Sequence, residues 1–420
     1  MGTPQSNFDS VDGYLRMEIL LVVGCFVVAL LLSRGMIPVI MLVTYKKRLF
    51  DPVNDRKVHN KCIIPRLGGV IFVPIQCFLF VVALVFAVKI AHIEMNVQSW
   101  VFLPSFMMLL CGLGMLFMVG IVDDLIGVSY KWKFVVQICA ASFFPLSGLW
   151  INDLYGLGLL VSLPAWVGMP LTMFIVVLII NAINLIDGLD GLCSGVVAMG
   201  CMVLGSLFMY YGAWWHTLFA FITVGVLIPF FYYNVFGATR RRRRIFMGDT
   251  GSMTLGYSMA FLAISFAMNN PYVKPFSEGA IVVAFSTLII PVMDVARVMF
   301  IRWRKGKPVF KPDRNHLHHK FLRMGMSHRT AMLSILGLVL FFSAFNILMV
   351  EMISNNIVIL CDVALWLGMH GVFERMEKRY IQKQAMVTSQ STSLTQVYRT
   401  ESKMKLKEGV ALQGGDAYVQ

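Results

Sequence analysis

Seven aspartates fall at or just beyond the ends of apolar runs: Asp123, Asp124, Asp187, Asp190, Asp249, Asp294 and Asp313. A carboxylate so close to hydrocarbon is costly and normally has a partner or a task. Asp123 and Asp124 are adjacent, and two like charges repel unless a cation compensates them. For an all-oxygen site that also meets phosphate, Mg²⁺ is the natural cation; a solvated surface pair is the alternative. Asn181, Asn184, Asp187 and Asp190 recur every third residue, which on a helix gives one polar stripe. Gly188 and Gly191 beside them would let backbone approach a ligand; a polar helix cap entering a turn is the plainer reading. Asp249 lies in Phe246-Met-Gly-Asp-Thr-Gly-Ser252, a turn that opens the next apolar run. Free amides at a helix start favour phosphate, although an Asp there also serves as a simple cap. Just upstream, Arg240–Arg244 reads as a topology anchor on anionic lipid or as a contact to phosphate. His316-Leu-His318-His319 sits in a loop with Lys307, Lys311, Arg314 and Lys320. That surrounding charge repels a metal ion, so imidazoles hydrogen-bonding to phosphate suit the loop better. Asp294 and Arg297, three apart, read as a structural ion pair. Taken together, these residues would hold phosphates by acids through Mg²⁺ and by cationic side chains directly. That is the chemistry of a phosphoryl transfer between one soluble and one lipid substrate.

The elements that must position these residues are membrane helices. The 420 residues are 58% hydrophobic and 14% charged, against about 45–50% and 25% in soluble chains, and mean hydropathy is +0.74. A soluble enzyme is thereby excluded. The predicted class is an all-α, polytopic integral membrane protein. Apolar runs near the length of about 20 residues needed to cross a bilayer occur roughly at 17–43, 67–90, 101–122, 131–149, 167–186, 192–211, 214–233, 252–268, 279–300, 330–350 and 355–373, eleven in all. With the N-terminus outside, all but five (Arg16, Arg34, Lys89, Lys274 and Arg297) of the 36 Lys and Arg fall in inner segments. This asymmetry predicts N-out, C-in, and it puts the aspartates near the cytoplasmic face. The net charge of +14 then reports orientation and not nucleic-acid binding. Residues 1–16 form an external segment, 17–373 the catalytic membrane domain, and 374–420 a cytoplasmic tail. The tail's polar composition predicts mobility. The eight cysteines form no paired spacing, so neither a disulfide framework nor a zinc site is expected. A secondary transporter of an anionic solute is the rival class, but transporters set their charged sites at mid-bilayer.

The motifs resemble those of the polyprenyl-phosphate N-acetylhexosamine-1-phosphate transferases, integral membrane enzymes related to phospho-MurNAc-pentapeptide translocase. The matching stretches are Asp55–His59 with Ile64–Gly69, Val122–Gly127, Asn181–Leu192, Phe246–Ser252 and Pro312–His319. The HxHH form at His316–His319 resembles the GlcNAc-1-phosphate branch, since the translocase carries three adjacent His. The resemblance implies an Mg²⁺-dependent enzyme, with Mn²⁺ as a substitute, in the bacterial cytoplasmic (inner) membrane and with its active site on the cytoplasmic side. It would transfer GlcNAc-1-phosphate from UDP-GlcNAc to undecaprenyl phosphate, the first membrane step of a surface polysaccharide such as an O-antigen. Another UDP-N-acetylhexosamine, or phospho-MurNAc-pentapeptide, is the alternative donor. The family pattern points to Asp249, with Asp123 and Asp124, as metal ligands, and to Asp123, Asp124, His318 and His319 as catalytic. Asn181, Asn184, Asp187, Asp190, Phe246 and His316 would bind substrate, as would Lys57 and His59 of the first loop. Membrane lipids and a homodimer partner are implied by the same analogy. The Arg run is longer than the family pattern and takes no role from it.

Overall fold

The computed structural model describes residues 4–47, 49, 65–90, 97–158, 160–237, 244–306 and 315–413, with side chains omitted at 4–15, 97–100 and 387–413. Its helices are α1 (Pro4–Lys47), α2 (Phe72–Lys89, entered through a 3-10 turn at Leu67–Ile71), α3 (Val97–Ile126), α4 (Tyr130–Leu146), α5 (Ala165–Ile186), α6 (Leu192–Tyr210), α7 (Trp214–Phe236), α8 (Gly248–Ala267), α9 (Ala280–Ser286), α10 (Ile289–Arg304), α11 (Leu317–Arg323), α12 (His328–Met349) and α13 (Asn355–Gln413).

Helices dominate because a chain in hydrocarbon must satisfy its backbone hydrogen bonds internally. Each of the eleven expected spans coincides with a helix or with the bent pair α9–α10. By length and apolarity alone, however, the described residues give eight crossing helices, or nine if the pair, bent by 81°, counts as one span. The shortfall lies in α4, which has 17 residues, and in α8. Along α8 run Thr250, Ser252, Thr254, Ser258 and Ser265, and every residue except Asp249 is buried. This helix is wrapped by protein, with α3 and α5 packed along it and α6, α9 and the 3-10 turn beside them. It therefore needs no lipid-facing apolar surface. The chain is a multi-pass membrane protein built around α8.

A small antiparallel hairpin departs from the all-helical expectation. It pairs β1 (Asp153–Leu157) with β2 (Leu160–Ser162) in the register Asp153–Ser162 and Leu157–Leu160. The Tyr155 hydroxyl donates to the Ala267 carbonyl at 2.9 Å, and Asn355 and Asn356 of α13 donate to Tyr155 and Gly156 carbonyls. The hairpin thus closes the C-terminal end of α8, about 30 Å from its N-terminus at 1.5 Å per residue. At the other end of the chain, residues 374–413 continue α13 as helix, where composition predicted a mobile tail. From Val372 to Glu408 there is neither Gly nor Pro, and Lys, Glu, Gln and Met recur; these residues favour helix. Among the described residues all cysteines are free.

Candidate active site

The first acid is positioned by the turn between α3 and α4. Asp123 sits in the last turn of α3, where its Oδ1 accepts from the Val128 amide at 2.7 Å. The chain reverses at Gly127, at φ 78°, and α4 brings back Lys133 in its first turns. The Lys133 Nζ lies 2.6 Å from Asp123 Oδ2 and 2.6 Å from Asp249 Oδ2. One ammonium thus bridges two carboxylates that come from helices and lie 126 positions apart in the chain.

Asp124 turns the other way and caps α8. Its Oδ1 accepts from the Asp249 amide at 2.8 Å, and its Oδ2 accepts from the Thr250 amide at 3.0 Å and the Thr250 hydroxyl at 2.6 Å. These are donors that a helix start leaves without intrahelical partners. The approach is close because side chains are missing where backbones meet. A Cβ on Gly120 of α3 would overlap Thr250 Cα, and one on Gly69 would overlap Gly251. The end of the first loop motif is stitched to the same place: Phe246 N donates to Pro65 O, Gly68 N to Phe246 O and Gly69 N to Met247 O at 2.8–3.0 Å. Oxygens of Asp123, Asp124 and Asp249 consequently lie within 4.8 Å of one another. An all-oxygen set of this kind fits a hard divalent cation, and the Lys133 ammonium marks where positive charge is stabilised.

The Asn181–Leu192 segment does not form one continuous stripe. α5 ends at Ile186, and Asp187 caps it. Asp190 lies in the following turn and pairs with Arg244. Gly191, at φ 76°, is the N-cap from which α6 starts, and its amide donates to Asn234 Oδ1 at 2.6 Å. What the stripe predicted holds for its first half only. Asn184 donates to Ser252 Oγ at 2.8 Å and also acts on Asp249, so it reaches the acid cluster. Asn181, one turn deeper, donates to Gln137 Oε1 and the Val177 carbonyl. Phe246 lies half-buried beside Arg244, whose guanidinium is 6.0 Å from the ring centroid.

The turn after α5 joins the acids to the histidines. His318 packs on Gly188, where a Cβ would come within 2.6 Å of its Nε2. The His318 ring is parallel to His316 at 5.9 Å and lies 4.2 Å from His319. Asp294, expected only as an ion-pair partner of Arg297, anchors this loop. Its Oδ1 accepts from Arg297 at 2.8 Å, and its Oδ2 meets His316 Nδ1 and the Leu317 amide, both at 3.0 Å.

Burial, with His319 and His316 nearby, pushes the His318 imidazole down to about 3. An unfolded His titrates near 6.5, so on acidification the unfolded chain takes up a proton that the folded chain refuses. This contribution to stability is whole above pH 6.5 and is lost as pH falls toward 3. Between pH 7.5 and pH 5 it amounts to about 2 kcal/mol, at 1.36 kcal/mol per pH unit. Thermal unfolding at the two pH values should show a smaller acid loss for His318→Gln than for the parent. Equal losses would contradict a neutral, buried His318.

Three contributors were not singled out in the sequence. Lys133 was counted only as loop charge, although its place ten residues after Asp123 across a glycine turn was a usable signal. Gln137 lies in no motif, and Thr250 lies within the Phe246–Ser252 motif without a type that marks it for chemistry. Lys57, His59, Asp313 and Arg240–Arg243 lie outside the described residues.

The family model described as glycosyl transferase family 4 matches residues 106–267, a span that holds Asp123, Asp124, the Asn181–Leu192 segment and Asp249. A probable undecaprenyl-phosphate N-acetylglucosaminyl 1-phosphate transferase of Bacillus subtilis is 30% identical over 360 residues, 84% of this chain and 88% of that protein. The undecaprenyl-phosphate alpha-N-acetylglucosaminyl 1-phosphate transferase of Yersinia pestis is 31% identical over 303 residues, 72% and 77% of the two chains. Its Escherichia coli K12 counterpart is 29% identical over 291 residues, 69% and 73%. With this coverage, and with the acids, the Asn turn and the HxHH loop gathered at one end of α8, the chain belongs to the polyprenyl-phosphate N-acetylhexosamine-1-phosphate transferases of glycosyl transferase family 4.

Proposed function

We propose that this chain transfers GlcNAc-1-phosphate from UDP-GlcNAc to undecaprenyl phosphate, giving undecaprenyl-pyrophosphoryl-GlcNAc and UMP, as the first membrane step of a surface polysaccharide. The observation that carries the reading is the pair Asp123 and Asp249, held to one cation position by Lys133 at 2.6 Å from each, at the end of α8 where the family's other motifs converge. Asp249 and Asp123 would hold Mg²⁺, with Asp124 completing the set. When bound, the ion neutralises charge on the donor diphosphate. Lys133, a flexible point charge, would exchange a carboxylate partner for a phosphate oxygen.

In the transfer, an oxygen of the lipid phosphate bonds to the sugar-bearing phosphorus, and the bond from that phosphorus to the UMP oxygen breaks. A phosphate monoester has a second pKa near 6, so the acceptor is mostly dianionic at neutral pH and attacks without a strong base. Asp123 then positions the acceptor or the ion, and no covalent enzyme intermediate is needed. Asn184, Asp187, Asp190 and Phe246 would bind the nucleotide. The histidines would approach the phosphates, with neutral His318 acting as a hydrogen-bonding group and not as a charge. On this reading the site faces the cytoplasm at the bacterial inner membrane, which the Lys and Arg asymmetry of the sequence supports.

Purified protein should release UMP from UDP-GlcNAc only when both undecaprenyl phosphate and Mg²⁺ are present, and EDTA should stop it. No release under these conditions would remove the assignment. Release with another UDP-sugar alone would change only the sugar, and a phosphosugar trapped on Asp123 would replace direct attack by a two-step path.

A further inference from the structure

The short helix that carries the histidines is gripped from behind by α13. α11 has seven residues, too few to be stable in water without tertiary support. Its N-terminus is tied to Asp294, as described above. Its opposite end meets the stretch of α13 just beyond the apolar run. Phe321 packs edge-on against Phe373 with ring centroids 4.9 Å apart. Arg323 Nε lies 2.6 Å from Glu377 Oε1, and Lys320 Nζ lies 3.5 Å from Glu374 Oε1. Just past the end of α11 stands Gly325, at φ 81°; a Cβ there would overlap the Tyr380 hydroxyl. Phe373, Glu374, Glu377 and Tyr380 are spaced to share one face of a helix. Lys320 is 5% exposed and Phe321 1%, so the contact is a packed one. On the same short helix, His318 sits on Gly188, next to Asp187.

We infer that the stretch of α13 from Glu374 to Tyr380 is a positioning element for the transfer reaction: Glu374, Glu377 and Tyr380 hold α11 so that His318 and His319 face the Asn181–Leu192 turn. These residues touch no reacting atoms and act through α11. The inference rests on the transferase reading above. It makes the segment after the last apolar run a working part of the active site, whereas its composition predicts only a mobile tail.

The test is a charge exchange at the half-exposed pair, read as steady-state UMP release from UDP-GlcNAc and undecaprenyl phosphate. Arg323→Glu and Glu377→Arg should each lower kcat about tenfold, with KM for UDP-GlcNAc changed less than twofold. The double variant should return kcat to within about threefold of the parent. Gly325→Ala, which forces a side chain toward Tyr380, should lower kcat further. Pairing Gly325→Ala with Tyr380→Ala should recover part of that loss. Single variants with the parent's kcat would overturn the inference, as would double variants that rescue nothing. Losses confined to folded yield at unchanged kcat would also overturn it, because they would make the grip purely structural. A parent protein with no UMP release would instead refute the transferase reading itself.

Discussion

Asp249→Asn should lower Mg²⁺-dependent turnover by about a thousandfold, equivalent to about 4 kcal/mol of barrier. The change keeps the side chain's shape and removes its charge. Asp249 is the one residue of α8 that is not buried, and it stands at the rim where Lys133 bridges it to Asp123. Because the rest of α8 is untouched, folding should survive and the loss should fall on chemistry. The Mg²⁺ concentration for half-maximal rate should rise as well if, as proposed, Asp249 supplies one of the ion's anionic oxygens. UMP release measured across an Mg²⁺ titration separates the two effects. A parental rate at parental Mg²⁺ would remove Asp249 from the ion's shell.

The second large effect concerns Asp124, and it differs in kind. The family pattern groups Asp124 with Asp123, yet the two carboxylates point to different jobs. Asp123 faces Lys133, whereas Asp124 accepts three hydrogen bonds from the first turn of α8. Asp124→Ala leaves the Asp249 and Thr250 amides and the Thr250 hydroxyl without their acceptor. Each buried donor so stranded costs about 1–3 kcal/mol, so the folded state should lose several kcal/mol and unfold several degrees lower. Turnover should also fall about a hundredfold, because the same turn sets the Asp249 carboxylate. Asp124→Asn keeps one acceptor oxygen and should fall between parent and Ala in both measurements. Lost turnover at unchanged thermal stability would show that the three hydrogen bonds of Asp124 do not hold the start of α8.

Local chemistry was readable from the residues in order. The apolar runs specify membrane helices because each run is greasy by itself, whatever it later touches. Asp123, Asn184, Asp249 and the HxHH loop were legible as a set because their residue types are costly beside a bilayer. Reading failed where the outcome depends on a distant partner. Spacing puts Asp190 on the same stripe as Asn184, but α5 ends at Ile186 and Asp190, in the turn beyond it, pairs with Arg244. Asp294 looked like half of a local ion pair, and its bonds to His316 and Leu317 appear only once α10 and α11 are placed together. Composition predicted a mobile stretch beyond residue 373, where helix-favouring residues and the contacts with α11 give a helix.

What the sequence alone determined is therefore the medium, the helices and the inventory of chemical groups. The tertiary structure decided which groups meet. Lys133 bridges Asp123 and Asp249 because Gly69 and Gly120 let the start of α8 nest against the 3-10 turn and α3. Hydropathy and helix propensity act residue by residue and can be read along a chain. A carboxylate's partner depends on how closely two backbones approach, and that is settled only when the helices pack.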